Sequence, residues 1–306
     1  MQRIMRSAGA APVQNAAGGP FAGCEKRTPV VHKAHFKPVQ IAMQEILKKV
    51  QFHIPFPLLR DKYLPLVLRE RINPEIGITF KALDGFRPSD FREVAEKLRD
   101  AGLSITIHGP FMDLRPGALD PRIRKVTIDR LKQMFDLAPY FQPRSIVCHP
   151  SFDERYYVST EEEWLQNSVD TWKRFAVIAA DMGTQIALEN VYEKEPQPLH
   201  RLLTALASPR IRFCFDTGHF NAFSKVPLEE WLERMGPLIG QLHIHDNRGA
   251  SDEHLPVGEG NFPFPVLLKY LQDRGMRPIV TVEAHSEKDL WRNLENLRFT
   301  GLLADF

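Results

Sequence analysis

Six residues able to hold a divalent cation or move a proton recur along the chain, each ending a short apolar run: His108, His149, Glu189, Asp216, His243 and Glu283. Imidazole and carboxylate donors together suit zinc, manganese or iron rather than calcium, which takes oxygen ligands. A lone histidine at the end of such a run is ordinarily a hydrogen-bonded structural residue. Six ends that converge are a different matter, because unpaired carboxylates withdrawn from water cost roughly several kcal/mol each unless paired or metal-bound. Two local motifs extend the set. Asp216-Thr217-Gly218-His219 puts an imidazole three residues after a carboxylate, on a turn that Gly218 makes tight. The segment from His243 ends in Asp252-Glu253-His254, and these two donors at i and i+2 reach one ion if the loop curls over the site.

The elements that must position these groups follow from periodicity. Strands are predicted at Val50–Phe56, Glu75–Phe80, Ser104–His108, Ser145–His149, Gln185–Glu189, Arg212–Asp216, Gln241–His245 and Ile279–Glu283. Helices are predicted near 57–70, 88–101, 121–139, 160–182, 197–207, 227–237, 264–274 and 287–297. Ser89 or Asp90 is placed to cap the second helix, and Thr160 with Glu163 has the spacing of a capping box. Gly102, Gly183 and Gly275 stand just past helix ends, where a left-handed cap is wanted. Eight strand–helix alternations predict an α/β chain folded as a closed (β/α)8 TIM barrel, whose active site lies at the C-terminal ends of the strands. The period of two separates Thr106 and His108 from Ile105 and Ile107, and Gln241, His243 and His245 from Leu242 and Ile244. The polar set points into the barrel mouth and the apolar set packs on helices. No strand is followed by GxGxxG or GxxxxGK[ST], which excludes the usual nucleotide-phosphate cradles.

The composition is that of a globular protein, with 43% hydrophobic and 25% charged residues. No run approaches the ~20 apolar residues of a membrane span. Three scattered cysteines, Cys24, Cys148 and Cys214, make neither a disulfide framework nor a CxxC site, and they fit a reducing, cytoplasmic setting. Residues 1–42 are rich in Ala, Gly and Pro and carry Arg3, Arg6, Lys26, Arg27, Lys33 and Lys37 against Glu25 alone. They read as a disordered extension, or as the product of a start assigned upstream of Met43, with the barrel filling 43–306. The remainder of the chain has a net charge of −3. That balance argues against a nucleic-acid binder, whose affinity comes mostly from phosphate contacts.

The order and spacing of IHGPF (107–111), VCHP (147–150), ALEN (187–190), FDTGH (215–219), LHIHDN (242–247), DEHLPVGEG (252–260) and VEAH (282–285) resemble the xylose isomerase-like TIM barrels. This superfamily includes endonuclease IV and many sugar isomerases and epimerases. The resemblance to endonuclease IV implies up to three divalent ions, zinc first and manganese as an alternative. It implies one ion held by His108, His149 and Glu189. A second would be held by Glu189, Asp216, His243 and Glu283, and a third by His219, Asp252 and His254. The chain departs from the nuclease pattern at Phe52-His53-Ile54, at Phe111–Pro116 and in the shortened loop after His243. These are DNA-contacting regions of that family, so specific DNA binding is not expected.

Two enzyme readings share these residues. The first is a metal-dependent hydrolase of a phosphoester or related bond, favoured by the complete third set of ligands. The second is a sugar or sugar-phosphate isomerase or epimerase. In that reading Glu189, Asp216, His243 and Glu283 hold one metal, and Glu189 and Glu283 exchange protons with a substrate carbon. A non-catalytic binding barrel is the third and weakest reading. The expected substrate is small and anionic or sugar-like, with no membrane partner. His53, at the end of the first strand, and Arg115 and Arg248, on loops over the mouth, are the expected substrate contacts. Cys148 and Cys214 are expected to pack at the sides of their strands. The sequence carries no signal of oligomeric state.

Overall fold

The structure is a computed structural model that describes residues 43–304, so the reading of 1–42 as an extension lies outside the described residues. Eight parallel strands close on themselves in chain order. They are β1 Val50–Pro55, β2 Asn73–Gly77, β3 Thr106–His108, β4 Ser145–Cys148, β5 Gln185–Glu189, β6 Ile211–Asp216, β7 Ile239–Ile244 and β8 Ile279–Val282. The ring is sealed by β1 against β8, with Val50 opposite Val280. Helices α1 Met43–Lys49, α2 Phe56–Leu58, α3 Leu64–Glu70, α4 Phe80–Gly85, α5 Pro88–Asp100 and α6 Pro121–Phe141 cover one side. Helices α7 Glu161–Asp181, α8 Gln197–Leu206, α9 Thr217–Phe223, α10 Leu228–Met235, α11 Phe264–Asp273 and α12 Glu287–Thr300 complete the outer layer. No described helix is long and apolar enough to cross a membrane.

The period of two sorts the strand residues into two environments. Ile107, Ile146, Ile186, Leu188, Phe215, Leu242, Ile244 and Val282 join the core between sheet and helices. Inside the barrel lie a small apolar group, Val147, Ala187 and Cys214, and a polar one. There Glu75 Oε2 accepts from Thr106 Oγ1 (3.1 Å), Gln241 Nε2 (2.6 Å) and Thr281 Oγ1 (3.0 Å). Cys148 packs on the helix side as expected, whereas Cys214 lies within the barrel. Burial pushes both thiols above their ordinary pKa.

Several boundaries differ from those read in the sequence. The strand expected at Glu75–Phe80 starts earlier and ends at Gly77, because Thr79 caps α4 through its hydroxyl, which accepts from Ala82 N. The helix expected at 57–70 is interrupted by a π-helical turn at Leu59–Tyr63. Pro65 accounts for it, since its ring has no N–H and crowds the carbonyl four residues back. Neither Ser89 nor Asp90 is the N-cap of α5. Arg87 holds that position, and Asp90 accepts from its backbone N–H. Thr160 does stand at the N-cap of α7, but its side chain makes no capping bond. Gly102, Gly183 and Gly275 all have left-handed φ angles of 63–69°, as expected of helix stops.

The loop after β3 crosses tightly over α7. Thr171 Oγ1 donates to Pro116 O (2.8 Å) and Asn167 Nδ2 donates to Ala118 O (3.1 Å). A Cβ at Gly117 would run into Ser168 Oγ and the Trp164 ring, both buried. Gly117→Ala is therefore expected to destabilise the fold by ~1–3 kcal/mol through overpacking. Urea unfolding of the two proteins measures this, and equal midpoints would show that the loop is free to lift off α7.

Candidate metal centre

Every strand delivers one ionisable group to the C-terminal mouth. His53 comes from β1, Glu75 from β2, His108 from β3, Glu189 from β5, Asp216 from β6 and His243 from β7, while His149 and Glu283 directly follow β4 and β8. Register places them: Gly77 pairs with His108, Asp216 with His243, and His243 with Thr281. Gly77 leaves room for the His53 ring, whose Nε2 would lie 2.7 Å from a Cβ there. Of the described histidines, only His200, on α8, lies away from this end.

Glu189 is the hub. Its Oε2 lies 3.3 Å from His108 Nε2 and 3.2 Å from His149 Nε2, and its Oε1 lies 3.2 Å from His219 Nδ1 and 3.4 Å from His243 Nδ1. His243 Nδ1 also faces Glu283 Oε1 at 3.1 Å and Asp216 Oδ2 at 3.8 Å. That nitrogen is fully buried, makes no hydrogen bond and looks at three carboxylates. On the other side of the ring, Nε2 faces Glu75 Oε1 at 3.0 Å. His108 has a related arrangement: Nδ1–H donates to Gly109 O (3.0 Å), and Nε2 is aimed at Glu189 Oε2 at 3.3 Å. In His219, Nδ1–H donates to Asn190 O (3.0 Å), and Nε2 faces Asp252 Oδ2 at 3.4 Å. A ring nitrogen that donates outward while its partner points inward at anionic oxygens is the arrangement of a metal-binding histidine. A lone pair against a carboxylate repels unless a proton or a cation lies between them.

The electrostatics reflect the same balance. Burial alone would raise the carboxyls of Glu189 and Glu283, but His243 and neighbouring imidazoles hold both well below the usual range. Burial alone would lower His243 and His219, and the surrounding negative charges raise both well above the ordinary imidazole value. His108 and His149 touch the same oxygen of Glu189 yet move oppositely. Burial prevails at His149, while at His108 the bond to Glu189 and the added charge of Glu75 prevail. Glu193 differs from all of these. It is buried, accepts from Val191 N (2.7 Å) and is pushed by burial up to about 7.

All nine residues expected as metal ligands lie in this one network. Asp252 Oδ2 sits 3.4 Å from both His219 Nε2 and His254 Nδ1, and His254 Nε2 reaches Glu283 Oε2 at 3.1 Å. The loop after β7 thus curls over the mouth, with His254 at a left-handed φ of 52°. Asp246 holds the base of that loop: Oδ1 accepts from Asn247 N and Phe262 N, and Oδ2 from Gly258 N and Gly260 N, at 2.9–3.1 Å. The Asp216–His219 segment is the first turn of α9 rather than a tight turn, with Asp216 accepting from His219 N (2.6 Å). Gly218 is required there because a Cβ would strike the His245 ring.

His53 and Arg115 line the cavity above these groups, which has a volume of about 450 Å³ and is also bordered by Phe111, Tyr192, Glu193 and His285. Arg248 does not line it. Its side chain is 63% exposed and is paired with Glu253 at 2.5 Å. Sequence reasoning left out Glu75, which it took for the start of a strand rather than an inward group at its middle. It also left out the imidazole stack, in which His254 lies 3.9 Å from both His245 and His285. His245 Nε2 lies 3.1 Å from each Asp216 oxygen. His245 was expected to share the inward face of His243, two residues earlier, and it does.

Fructoselysine 3-epimerase of Escherichia coli O157:H7 is 39% identical to this chain over 197 residues, or 61% of this chain and 70% of the epimerase. A solved structure of a D-tagatose 3-epimerase-like protein superposes with a TM-score of 0.70 at 25% identity, covering 83% of this chain and 97% of that one. These relatives overturn the expectation of a phosphoester hydrolase and favour the isomerase–epimerase alternative. His219, Asp252 and His254 do come together, with Asp252 Oδ2 3.4 Å from both imidazoles, but the same donors serve either reaction, so a filled third set does not mark a hydrolase. The uncharacterized protein MJ1311 of Methanocaldococcus jannaschii is 31% identical over 219 residues, or 69% of this chain and 74% of that protein. A sequence model of the family described as xylose isomerase-like TIM barrel matches residues 75–299, and the chain belongs to that family.

Proposed function

We propose that the chain is a divalent-metal-dependent epimerase or isomerase that moves a proton at the carbon beside the carbonyl of a sugar or sugar-like ketose. The observation that carries this reading is the position of His243 Nδ1, buried without a hydrogen bond among Glu189, Asp216 and Glu283. These four residues would hold one ion, zinc or manganese. When bound, the ion supplies electrophilic polarisation of the substrate carbonyl. The similarity to fructoselysine 3-epimerase and to the D-tagatose 3-epimerase-like protein supports the reaction class.

Glu189 and Glu283 come from strands separated by β6 and β7 and converge on one point, which is what two-faced proton transfer requires. One carboxylate takes the proton from the carbon, and the bonding pair moves toward the carbonyl. The other carboxyl, which has to enter the step protonated, returns its proton to the opposite face, so the two groups exchange protonation states. His53, Arg115, His219 and His254, all at the cavity wall, would hold substrate hydroxyls and keep the carbon between the two glutamates. Glu75, beneath His243, would orient that imidazole and keep its inward nitrogen basic.

Three outcomes are expected. D-Tagatose, D-psicose or fructoselysine incubated with the metal-loaded protein in D2O should gain deuterium at carbon 3. Glu189→Gln or Glu283→Gln should slow this by roughly 10²–10⁴-fold. Epimerisation that left the carbon free of solvent deuterium would exclude proton exchange through these groups. Metal analysis should approach one ion per chain and stay there in the double variant Asp252→Ala with His254→Ala, which should change KM. A value near three, falling by one in that variant, would establish the full trinuclear set instead. Glu75→Gln should weaken metal affinity by about 10–100-fold, read by competition with a chelating dye, with no loss of folded structure. Unchanged affinity would reduce Glu75 to a filler of the barrel.

A further inference from the structure

The hydrogen-bonded ladder between β5 and β6 ends at Glu189 opposite Cys214, two residues short of Asp216. In a strand the N–H and C=O of one residue face the same neighbour. At Asp216 both face the segment after β5, where that strand has already ended. The side chain of Asn190 takes the strand's place. Its Oδ1 accepts from Asp216 N (2.9 Å) and its Nδ2 donates to Asp216 O (3.1 Å). A carboxamide carries the acceptor and the donor of a peptide group, so Asn190 acts as one added rung of the ladder. The device repeats one strand further on. β7 ends at Ile244, and beyond it Thr217 Oγ1 donates to His245 O (2.8 Å) and accepts from His245 N (3.3 Å). Asn190, Asp216, Thr217 and His245 are all withdrawn from water.

Asn190 directly follows Glu189, and Thr217 directly follows Asp216. Each side-chain rung therefore starts beside one inward carboxylate and ends on the main chain of the next inward group. His245 closes the circuit, since its Nε2 lies 3.1 Å from each oxygen of Asp216. Asp216 is thereby held at its peptide by Asn190, and at its carboxylate by an imidazole that Thr217 holds. We propose that Asn190 and Thr217 are positioning residues that set the spacing from Glu189 to Asp216 and from Asp216 to His245, and so the fit of the mouth to its ion. The proposal rests on the reading that Glu189 and Asp216 hold a divalent ion, and it is independent of which bond the ion helps to change. Asn73 gives the contrast. It makes the same kind of two-ended bond at the start of β2, with Nδ2 donating to Leu47 O (3.0 Å) and Oδ1 accepting from Ser104 N (2.9 Å). That end of a barrel serves stability rather than chemistry.

The test compares Asn190→Ala with Asn73→Ala. Both should lower the urea midpoint, because both leave buried peptide groups unpaired. Only Asn190→Ala should weaken zinc affinity, by about 10–100-fold in competition with a chelating dye. Only that variant should shift the visible absorption bands of the cobalt(II)-loaded protein, which report donor geometry. Thr217→Val, of nearly the same volume, should weaken zinc about tenfold, whereas Thr217→Ser, which keeps the hydroxyl, should not. This second pair serves if Asn190→Ala does not fold. Zinc affinity and cobalt bands that are unchanged in Asn190→Ala, or that change equally in Asn73→Ala, overturn the proposal. Unchanged zinc affinity in Thr217→Val overturns it as well. If the unmodified protein binds zinc, the variants behave as expected and ketoses gain no solvent deuterium, the assigned reaction fails and the positioning role stands. An unmodified protein with no measurable affinity for zinc or manganese overturns the role and the metal reading together.

Discussion

Four carboxylates cannot be drawn into one barrel mouth unless each meets compensating charge, and this requirement organises the molecule. Glu189 is contacted by four imidazoles, and Glu283 by two at close range. The imidazoles are in turn held by groups outside the cluster: Gly109 O for His108, Asn190 O for His219 and Glu75 for His243. Those outer partners fix which nitrogen faces inward, so the donor set is arranged before any ligand arrives. The barrel interior then has to accept Glu75, and it does so with Thr106, Gln241 and Thr281 where a purely structural barrel would stack branched aliphatics. The polar seam through the barrel is thus a consequence of the chemistry at its mouth.

Much of this was legible in the sequence because strand periodicity is strict. A residue at the end of a strand must face one of two ways, and His108, Glu189, Asp216 and His243 share a face with short or polar neighbours. The barrel and the convergence of the strand-end donors follow from that, while His219, Asp252 and His254 were marked by local motifs and by the family resemblance. What could not be read was anything set by contact between distant segments. Glu75 looked like the edge of a strand because Asn73 and Pro74 ahead of it are poor strand formers, and only its pairing with Thr106 reveals it as interior. Arg248 looked like a mouth residue from its place in the loop, but the turn that brings Glu253 back beside it removes it from the cavity. The π-helical turn before α3 had a visible cause in Pro65, yet its width depends on the packing around it.

Reaction type was less legible than site. The same imidazoles and carboxylates suit attack on a phosphoester and proton exchange beside a carbonyl, because both reactions need negative charge stabilised next to a mobile proton. Donor identity therefore carried the metal centre but not the bond being changed. The choice between the two came from relatives, with fructoselysine 3-epimerase aligned over 197 residues.

Asp246 binds the base of the β7 loop entirely through main-chain amides, at Asn247, Gly258, Gly260 and Phe262. Side chains between Arg248 and Pro256 take no part in this latch, apart from the backbone pairing of Leu255 with Asp246. Gly260 is bound to its identity, since a Cβ there would strike the Asp246 carboxylate, whereas between Arg248 and Pro256 only Gly249 and His254 sit in left-handed backbone. The loop is consequently built like a cassette, with a fixed clasp and an interchangeable insert. Asp252 and His254 belong to the insert, so descendants of this scaffold could exchange the residues that cover the substrate without refolding the barrel that supports them.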